Sequence, residues 1–298
     1  MRKWTIRLLI LAAIGFAVFW LLSSPKTLPD NAFAALSGDA TAGEQVFYAA
    51  GCASCHAPPE AKGDDKLILA GGQRFPSPFG TFIAPNISPS PEGIGGWSAQ
   101  ELGNAMLYGT SPNGQHYYPA FPYVSYGRIT QRSDGLQDVA NLHAFLQTLP
   151  PSSQASAAHE VSFPFNIRRG LGLWKLVFVG DDWVTDVPVE SAQLRRGRYL
   201  TEALGHCAEC HTPRNAVGGL LYDQWLKGAP DPSGKGRVPA INALEWSAGD
   251  IAYYLESGFT PDFDSAGGHM VNVIENMSKL PASEREAVAA YLKSLTKE

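Results

Sequence analysis

Four cysteines, arranged as two widely separated pairs, constrain this 298-residue chain more than any other feature. Two residues separate the cysteines of each pair, and a histidine follows each pair directly; the six residues are Cys52, Cys55, His56, Cys207, Cys210 and His211. Cysteines three apart lie one helical turn from each other, so their thiols can reach the two vinyl groups on one edge of a porphyrin. The pattern is the attachment signature of c-type haem, and its two copies predict two covalently bound haem c groups.

Two other kinds of cysteine site use the same spacing. A four-cysteine zinc site could be built from two such pairs, but zinc ribbons usually place the pairs closer in sequence and need no histidine after each. A thioredoxin-like redox pair would lie in a strand–helix–strand unit, which neither motif has around it. Haem attachment is therefore the favoured interpretation.

A second set of landmarks repeats after each cysteine pair. A tryptophan and a serine are followed by an acid three residues after the serine, which predicts a capped helix start. A glycine twelve residues after each tryptophan is suited to a helix C-terminus, and the next landmark stands twenty-four residues after the tryptophan. The landmarks are Trp97, Ser98, Glu101, Gly109 and Phe121, then Trp246, Ser247, Asp250, Gly258 and Met270.

Both copies close with an apolar pattern of helical spacing. The first is stopped by Pro150, and the second is opened by a predicted capping box of Ser283 and Glu286. No alternating pattern is long enough to predict a sheet of any size. We therefore expect an all-α protein with two tandem cytochrome c domains, residues 38–150 and 188–298. An N-terminal membrane segment, 1–26, a short linker, 27–37, and an extended linker, 151–187, complete the predicted organisation.

The apolar run from Leu8 to Leu22 follows three basic residues at the N-terminus. As a helix it spans roughly 22 Å, and its neighbours extend it toward the thickness of a bilayer core. The flanking bases favour the cytoplasm, so everything after Lys26 is expected on the periplasmic side of the cytoplasmic (inner) membrane. A single-pass, uncleaved transmembrane helix is the favoured interpretation, and a signal peptide cleaved after Ala34 is the alternative.

The residue types also suggest axial ligands. His56 and His211 directly follow the cysteines and are the expected fifth ligands of the two irons. Met270 stands in a loop-like, glycine-rich stretch before the last helix, and its thioether would raise the potential of the second haem. A packing role for Met270, or ligation by Met277, is the alternative.

The first haem lacks an equivalent methionine, because Phe121 occupies that position. Three interpretations stay open. His116 could supply a second imidazole, the iron could be five-coordinate or water-bound beneath the phenyl ring, or Met106 could bind from the middle helix.

Several other polar residues are conspicuous. Arg128 and Arg214 could pair with haem propionates, with surface roles as the alternative. The remaining histidines are expected to be exposed or hydrogen-bonded neighbours rather than ligands; they are His143, His159, His206 and His269.

The charge balance argues against a nucleic-acid partner. The chain has 23 basic and 28 acidic residues, for a formal charge of -5. Without Arg2, Lys3 and Arg7, 20 bases remain against 28 acids, a difference of -8. Phosphate backbones are bound by basic surfaces, so we expect no nucleic acid.

The chain resembles the multihaem cytochrome c subunits of membrane-bound alcohol and aldehyde dehydrogenases and of related periplasmic molybdenum hydroxylases. The likeness extends from about Gly38 to the C-terminus and is carried by the strings Pro78–Thr81, Ala84–Ser88, Gly93–Ser98, Tyr118–Tyr123, Phe163–Arg168 and Gly205–Asn215. Two features depart from that family. Members that accompany alcohol dehydrogenases commonly carry three haems, whereas this sequence has cysteines for two, and the usual methionine of the Tyr118–Tyr123 string is Phe121 here.

The resemblance implies one-electron transfer from a periplasmic dehydrogenase, or another redox protein, toward quinone or a terminal oxidase. The alternative is a dihaem enzyme that uses an open first haem on a small substrate such as peroxide or a sulfur oxyanion. A structural adaptor tethered to the membrane is the third class, and two complete attachment motifs argue against it.

Overall fold

The computed structural model describes residues 2–231 and 236–295. Over these residues the chain is mainly helical, which confirms the predicted fold class. The α-helices are α1 (Arg2–Leu22), α2 (Ala40–Ala49), α3 (Cys52–His56), α4 (Ala99–Tyr108), α5 (Tyr123–Tyr126), α6 (Gly135–Leu146), α7 (Gly170–Phe178), α8 (Ala192–Arg198), α9 (Ala208–His211), α10 (Ala248–Ser257), α11 (Met270–Met277) and α12 (Ala282–Leu295). The strands are β1 (Arg74–Ser77), β2 (Gly80–Ile83), β3 (Glu160–Val161), β4 (Ala229–Pro230) and β5 (Arg237–Val238).

The sheets are small, as the sequence predicts. β1, β2 and β3 form an antiparallel sheet, and β4 pairs with β5. The predicted linker 151–187 contains the strand β3, but it is not wholly extended, because it also contains the helix α7. Thr81 of β2 lies opposite Glu160 of β3, so this linker pairs back onto the N-terminal half of the chain.

The middle helices confirm the capping predictions. Ser98 accepts from the backbone of Glu101 at the start of α4, and Ser247 accepts from that of Asp250 at the start of α10; both capping boxes are complete. Gly109 (φ 57°) and Gly258 (φ 79°) end these helices in the left-handed region. The sequence repeat is therefore a structural repeat in this region.

A matching hairpin follows each middle helix. Tyr117 donates to the Gly109 carbonyl over 2.8 Å, and Ala266 donates to the Gly258 carbonyl over 2.8 Å. The isolated bridges Thr110–His116 and Phe259–Ser265 occupy the same positions of the two copies. The structural counterpart of His116 is therefore Ser265.

The predicted start of the last helix is wrong. α12 begins at Ala282, so Ser283 lies inside its first turn instead of capping it. Pro281 precedes the helix and accepts from the Glu284 backbone. Proline suits this position because its missing N–H group would have had no partner within the helix.

Two helix crossings organise the halves, and each depends on a glycine. α2 packs across α6, and α8 packs across α12. A Cβ on Gly43 would collide with the backbone of Asn141, and one on Gly197 would collide with the backbone of Ala287. The backbones approach this closely only because both glycines lack a side chain.

One extra residue separates the crossing from the cysteines in the second half. Cys52 is nine residues after Gly43, whereas Cys207 is ten residues after Gly197. A π-helical turn, Tyr199–Leu204, accommodates the difference, and Gly205 donates to the Leu200 carbonyl over 2.7 Å. The wider turn takes up the extra residue, so each cysteine motif follows its helix crossing in the same order in both halves.

The two halves share a continuous hydrophobic core. Phe47 and Leu142 from the first half and Leu200 and Leu292 from the second belong to one cluster of buried side chains. α1 lies outside this core, and none of its residues is buried. It has 21 residues, is about 32 Å long, and is apolar enough to cross a membrane.

We expect Gly43→Ala to destabilise the fold. The added methyl group has to push α2 away from the Asn141 backbone, which should lower the free energy of unfolding by about 2–3 kcal/mol. Denaturant unfolding of the detergent-solubilised protein measures this change. Gly96→Ala is the control, because no heavy atom lies within 4 Å of its added Cβ. Equal midpoints for Gly43→Ala and wild type would contradict the assigned crossing.

Candidate haem-attachment sites

The first motif forms the short helix α3. Gly51 precedes it with a φ of 61°, a left-handed conformation that separates the helix α2 from the helix that begins at Cys52. Burial raises the pKa of Cys52 to about 12 and that of Cys55 to about 11. Both thiols therefore stay protonated at neutral pH in the absence of a bound group.

His56 is held by its Nδ1 atom. This nitrogen lies 2.9 Å from the carbonyl oxygen of Pro85, and the His56 carbonyl accepts from Gly71 over 2.8 Å. Burial lowers the pKa of His56, which favours the neutral imidazole. A proton on Nδ1 then donates to Pro85, and the lone pair of Nε2 stays available for a metal.

The second motif repeats this arrangement. His211, the last residue of α9, places Nδ1 2.7 Å from the carbonyl oxygen of Pro239. Its own carbonyl accepts from Gly228 over 2.8 Å, and burial lowers the pKa of His211. Each motif histidine is thus oriented by a proline carbonyl 28 or 29 residues further along the chain.

These features fit haem better than zinc. A neutral imidazole fixed through Nδ1 is the form that binds haem iron through Nε2, and both motifs provide it. Across residues 2–231 and 236–295, no group of three or more histidine, cysteine or acidic residues is arranged to hold a metal ion. The six motif residues remain predicted haem contacts.

The predicted sixth ligand of the second haem lies at a helix end. The sequence predicts Met270 within the glycine-rich loop. In the structure the loop ends at His269, and Met270 is the first residue of α11. The Met270 side chain is half-buried and packs against the core. Met277, at the other end of α11, is only 3% exposed and is itself a core residue. Ligation by Met270 stays a prediction.

Phe121 occupies the corresponding position of the first half. It is half-buried, with its ring centroid 6.0 Å from that of Tyr117 and 5.8 Å from that of Tyr126. The phenyl ring is thus part of an aromatic group.

The other two candidates for the first iron have protein contacts. His116 is 3% exposed, and its Nε2 lies 2.9 Å from the carbonyl oxygen of Ser23, while its Nδ1 has no partner. Binding iron through Nε2 would break this hydrogen bond. Met106 is buried within α4 and belongs to the core. All three interpretations of the first haem stay open as predictions.

The two arginines differ in their surroundings. Arg128 is only 1% exposed, so it has no surface role; it donates to the carbonyls of Asp182 and Val124. Arg214 pairs with Glu209. Pairing of either arginine with a propionate stays a prediction.

Sequence analysis missed how close the two motifs lie. Tyr126 Oη donates to the Ala50 carbonyl over 3.1 Å, and His206 Nε2 lies 3.3 Å from the same oxygen. The two rings are 5.6 Å apart, and Cys210 is near enough to raise the pKa of Cys55. His206 is a hydrogen-bonded neighbour, as expected, but it contacts the other half of the chain.

Two further contacts connect each motif to the opposite half of the protein. Ser125 donates to the Glu209 carboxylate over 2.8 Å, and Asn276 donates to the Ser54 hydroxyl over 2.9 Å. Glu209 and Ser54 each lie between the two cysteines of a motif. Each motif therefore packs against the opposite half of the protein.

The helical fold and the two motifs together define a c-type cytochrome. No family model matches the chain. It is 51% identical over 295 residues to the protein named diheme cytochrome c-type of Cereibacter sphaeroides, and the alignment covers 98% of this chain and 97% of that protein. The chain therefore belongs to the family of dihaem c-type cytochromes, whose members transfer electrons through covalently bound haem c.

Other relatives are parts of dehydrogenases. A nicotinate dehydrogenase subunit of Pseudomonas putida is 37% identical over 264 residues, which are 85% of this chain and 21% of that protein. The fructose dehydrogenase cytochrome subunit of Gluconobacter japonicus is 35% identical over 263 residues, which are 85% of this chain and 52% of that protein. This chain thus spans about a fifth and about half of these two longer proteins.

Proposed function

We propose that the protein is a membrane-anchored dihaem cytochrome c that carries electrons from a periplasmic dehydrogenase toward quinone or a terminal oxidase. The observation that carries the proposal is the pair of equivalent histidines, each fixed through Nδ1 by a proline carbonyl, in motifs that pack together. We assign one domain to residues 38–150 and the other to residues 188–298. Each would hold one haem.

The protein's own groups would hold and isolate the two cofactors. Haem c supplies a one-electron iron couple when bound. The thiols of each motif would fix it covalently, and His56 and His211 would provide axial nitrogens whose direction is set before binding. Hydrogen bonds from Tyr126 and His206 to the Ala50 carbonyl would hold the two motifs close together. A fixed, short separation favours electron exchange inside the protein.

A dehydrogenase donor is supported by the names of the relatives, which are subunits of nicotinate, fructose, gluconate and alcohol dehydrogenases. Purification from native membranes in mild detergent, with an affinity tag on the C-terminus, tests the proposal. We expect a periplasmic dehydrogenase to co-purify and its substrate to reduce both haems. Purification of a haem protein that no co-purifying dehydrogenase reduces, and that instead turns over peroxide, would favour the enzyme alternative.

We expect α1 to keep the protein in the membrane. Salt screens charges but has little effect on an apolar helix buried in a bilayer. High salt should therefore release none of the protein, and detergent should release all of it. The mature chain should begin at Met1 or Arg2 by intact mass. The control deletes residues 1–22 and supplies a cleavable signal, which should give a soluble holoprotein and leaves Ser23 in contact with His116. A mature N-terminus near Ala35 would show that the anchor is removed.

A further inference from the structure

The segment that connects the halves has an exposed apolar surface. Six large apolar side chains along residues 163–177 are 38–77% exposed, and we call them the α7 surface: Phe163, Phe165, Ile167, Leu173, Leu176 and Val177. Leu173, Leu176 and Val177 are three and four residues apart on α7, so they lie on one face of that helix. The surface therefore combines one face of a helix with the loop that leads into it.

The opposite face of α7 is fixed against the protein. Lys175 donates to the carbonyls of Tyr108 and Gly109 over 2.6 and 2.8 Å, and burial lowers its pKa to about 7. Trp174 Nε1 donates to the Val217 carbonyl over 2.9 Å. Rotation of α7 to hide its apolar face would break these hydrogen bonds. The exposed face is thus a fixed feature of the fold.

α7 is also joined to the end of α1. A Cβ on Gly172 would collide with the Ser23 backbone, which shows how closely the two segments approach. Arg169 Nε donates to Ser23 Oγ over 2.8 Å, and its guanidinium lies 4.1 Å from the centroid of the Trp20 ring. Any bilayer that contains α1 up to Leu22 must therefore reach its surface beside α7.

The charges of this segment favour a phospholipid surface. Arg168 and Arg169 lie in the loop that leads into α7, although the whole chain has a net charge of -5. Lys175 lies on the opposite face of the helix, and the acidic residues Glu160, Asp181 and Asp182 lie at the ends of the segment. Exposed apolar residues together with arginines are typical of segments that lie in the interfacial region of anionic membranes. The aromatic rings of Trp20 and Trp174 suit the same region.

We propose that the α7 surface rests in the outer-leaflet interface of the same bilayer that holds α1, as a second membrane contact. The inference rests on the proposed membrane anchoring by α1. Two contacts that are joined through Ser23 fix the tilt of the protein on the membrane, whereas α1 alone would allow the haem-binding part to rotate freely. The N-terminal half, which holds α7 through Tyr108 and Gly109, would thus face the membrane in one orientation.

Spin labelling of the full-length holoprotein in nanodiscs of phosphatidylcholine and phosphatidylglycerol tests this inference. Single labels are introduced through Phe163→Cys and Val177→Cys; in the holoprotein the four native cysteines would be bonded to haem and would not react. Val18→Cys reports on α1. Phe263→Cys is the matched control, because Phe263 is an apolar residue 92% exposed in the hairpin that follows α10. Accessibility of each label to oxygen and to a water-soluble nickel chelate is measured by power saturation.

We expect the labels at positions 18, 163 and 177 to be relaxed more by oxygen than by the nickel chelate, and the label at position 263 to show the reverse. If positions 163 and 177 behave like position 263 while position 18 stays in lipid, the inference is wrong and the anchor stands. Protection of 163 and 177 from both reagents would show that protein covers the surface, which also overturns it. A water-exposed label at position 18 would refute the anchor and the inference together.

Discussion

Replacing Cys52 and Cys55 together by alanine is expected to remove one of two haems and leave the other. His211 is oriented by Pro239, and both residues belong to the C-terminal half, so the second site does not need the first cysteines. Intact mass should fall by one haem, and the denatured protein should keep haem-dependent peroxidase staining at about half strength. The effect is large because thioether bonds make attachment all-or-none.

The reciprocal variant, Cys207→Ala with Cys210→Ala, is the matched control and should lose the other haem. Optical spectra of the two variants should then add up to that of the wild type. A wild-type protein that contains zinc and no haem would refute the assignment of both motifs.

Replacing Met270 by histidine is expected to lower the reduction potential of the second haem. Exchange of a thioether for an imidazole stabilises the ferric state, and we expect a shift on the order of 0.2 V within the range that axial ligands span. The weak near-infrared band of an iron–methionine bond should disappear at the same time. Potentiometric titration followed optically measures both changes.

Two further variants make this test specific. Met277→Leu should leave the potentials and the band unchanged, because Met277 is a buried core residue at the other end of α11. Phe121→Met should raise the potential of the first haem, because the hairpin before Phe121 corresponds to the hairpin before Met270. If Met270→His changes neither the potentials nor the band, the ligand assignment fails.

Local features of the fold could be predicted from the sequence, because each depends on residues a few positions apart. The capping boxes of Ser98 and Ser247 and the ends at Gly109 and Gly258 are of this kind. The predicted start of α12 was wrong because two patterns for a helix N-terminus overlap there. The capping-box pattern starts at Ser283, whereas Pro281 precedes the helix that the structure shows. The extra residue before Cys207 could be counted, but its accommodation in a π-helical turn could not be foreseen.

Contacts between distant parts of the chain could not be predicted. Ala50 is 76 residues from Tyr126 and 156 from His206, and nothing in local spacing indicates that these three meet. The same holds for Ser23 and His116, which are 93 residues apart. Their hydrogen bond occupies the Nε2 atom of a histidine that the sequence presents as a candidate iron ligand. Attachment motifs are readable because haem chemistry fixes their spacing; the approach of two motifs depends on packing alone.

The connection between the halves is attached to the N-terminal half along much of its length. Glu160 pairs with Thr81, the Phe165 carbonyl accepts from Tyr118, and the Asp182 carbonyl accepts from Arg128. Some electron carriers deliver charge by swinging a domain on a flexible tether, at a rate set by diffusion through solvent. Here the connector is held at several points, so we expect the passage of an electron between the halves to depend on distance and potential and not on the viscosity of the solvent.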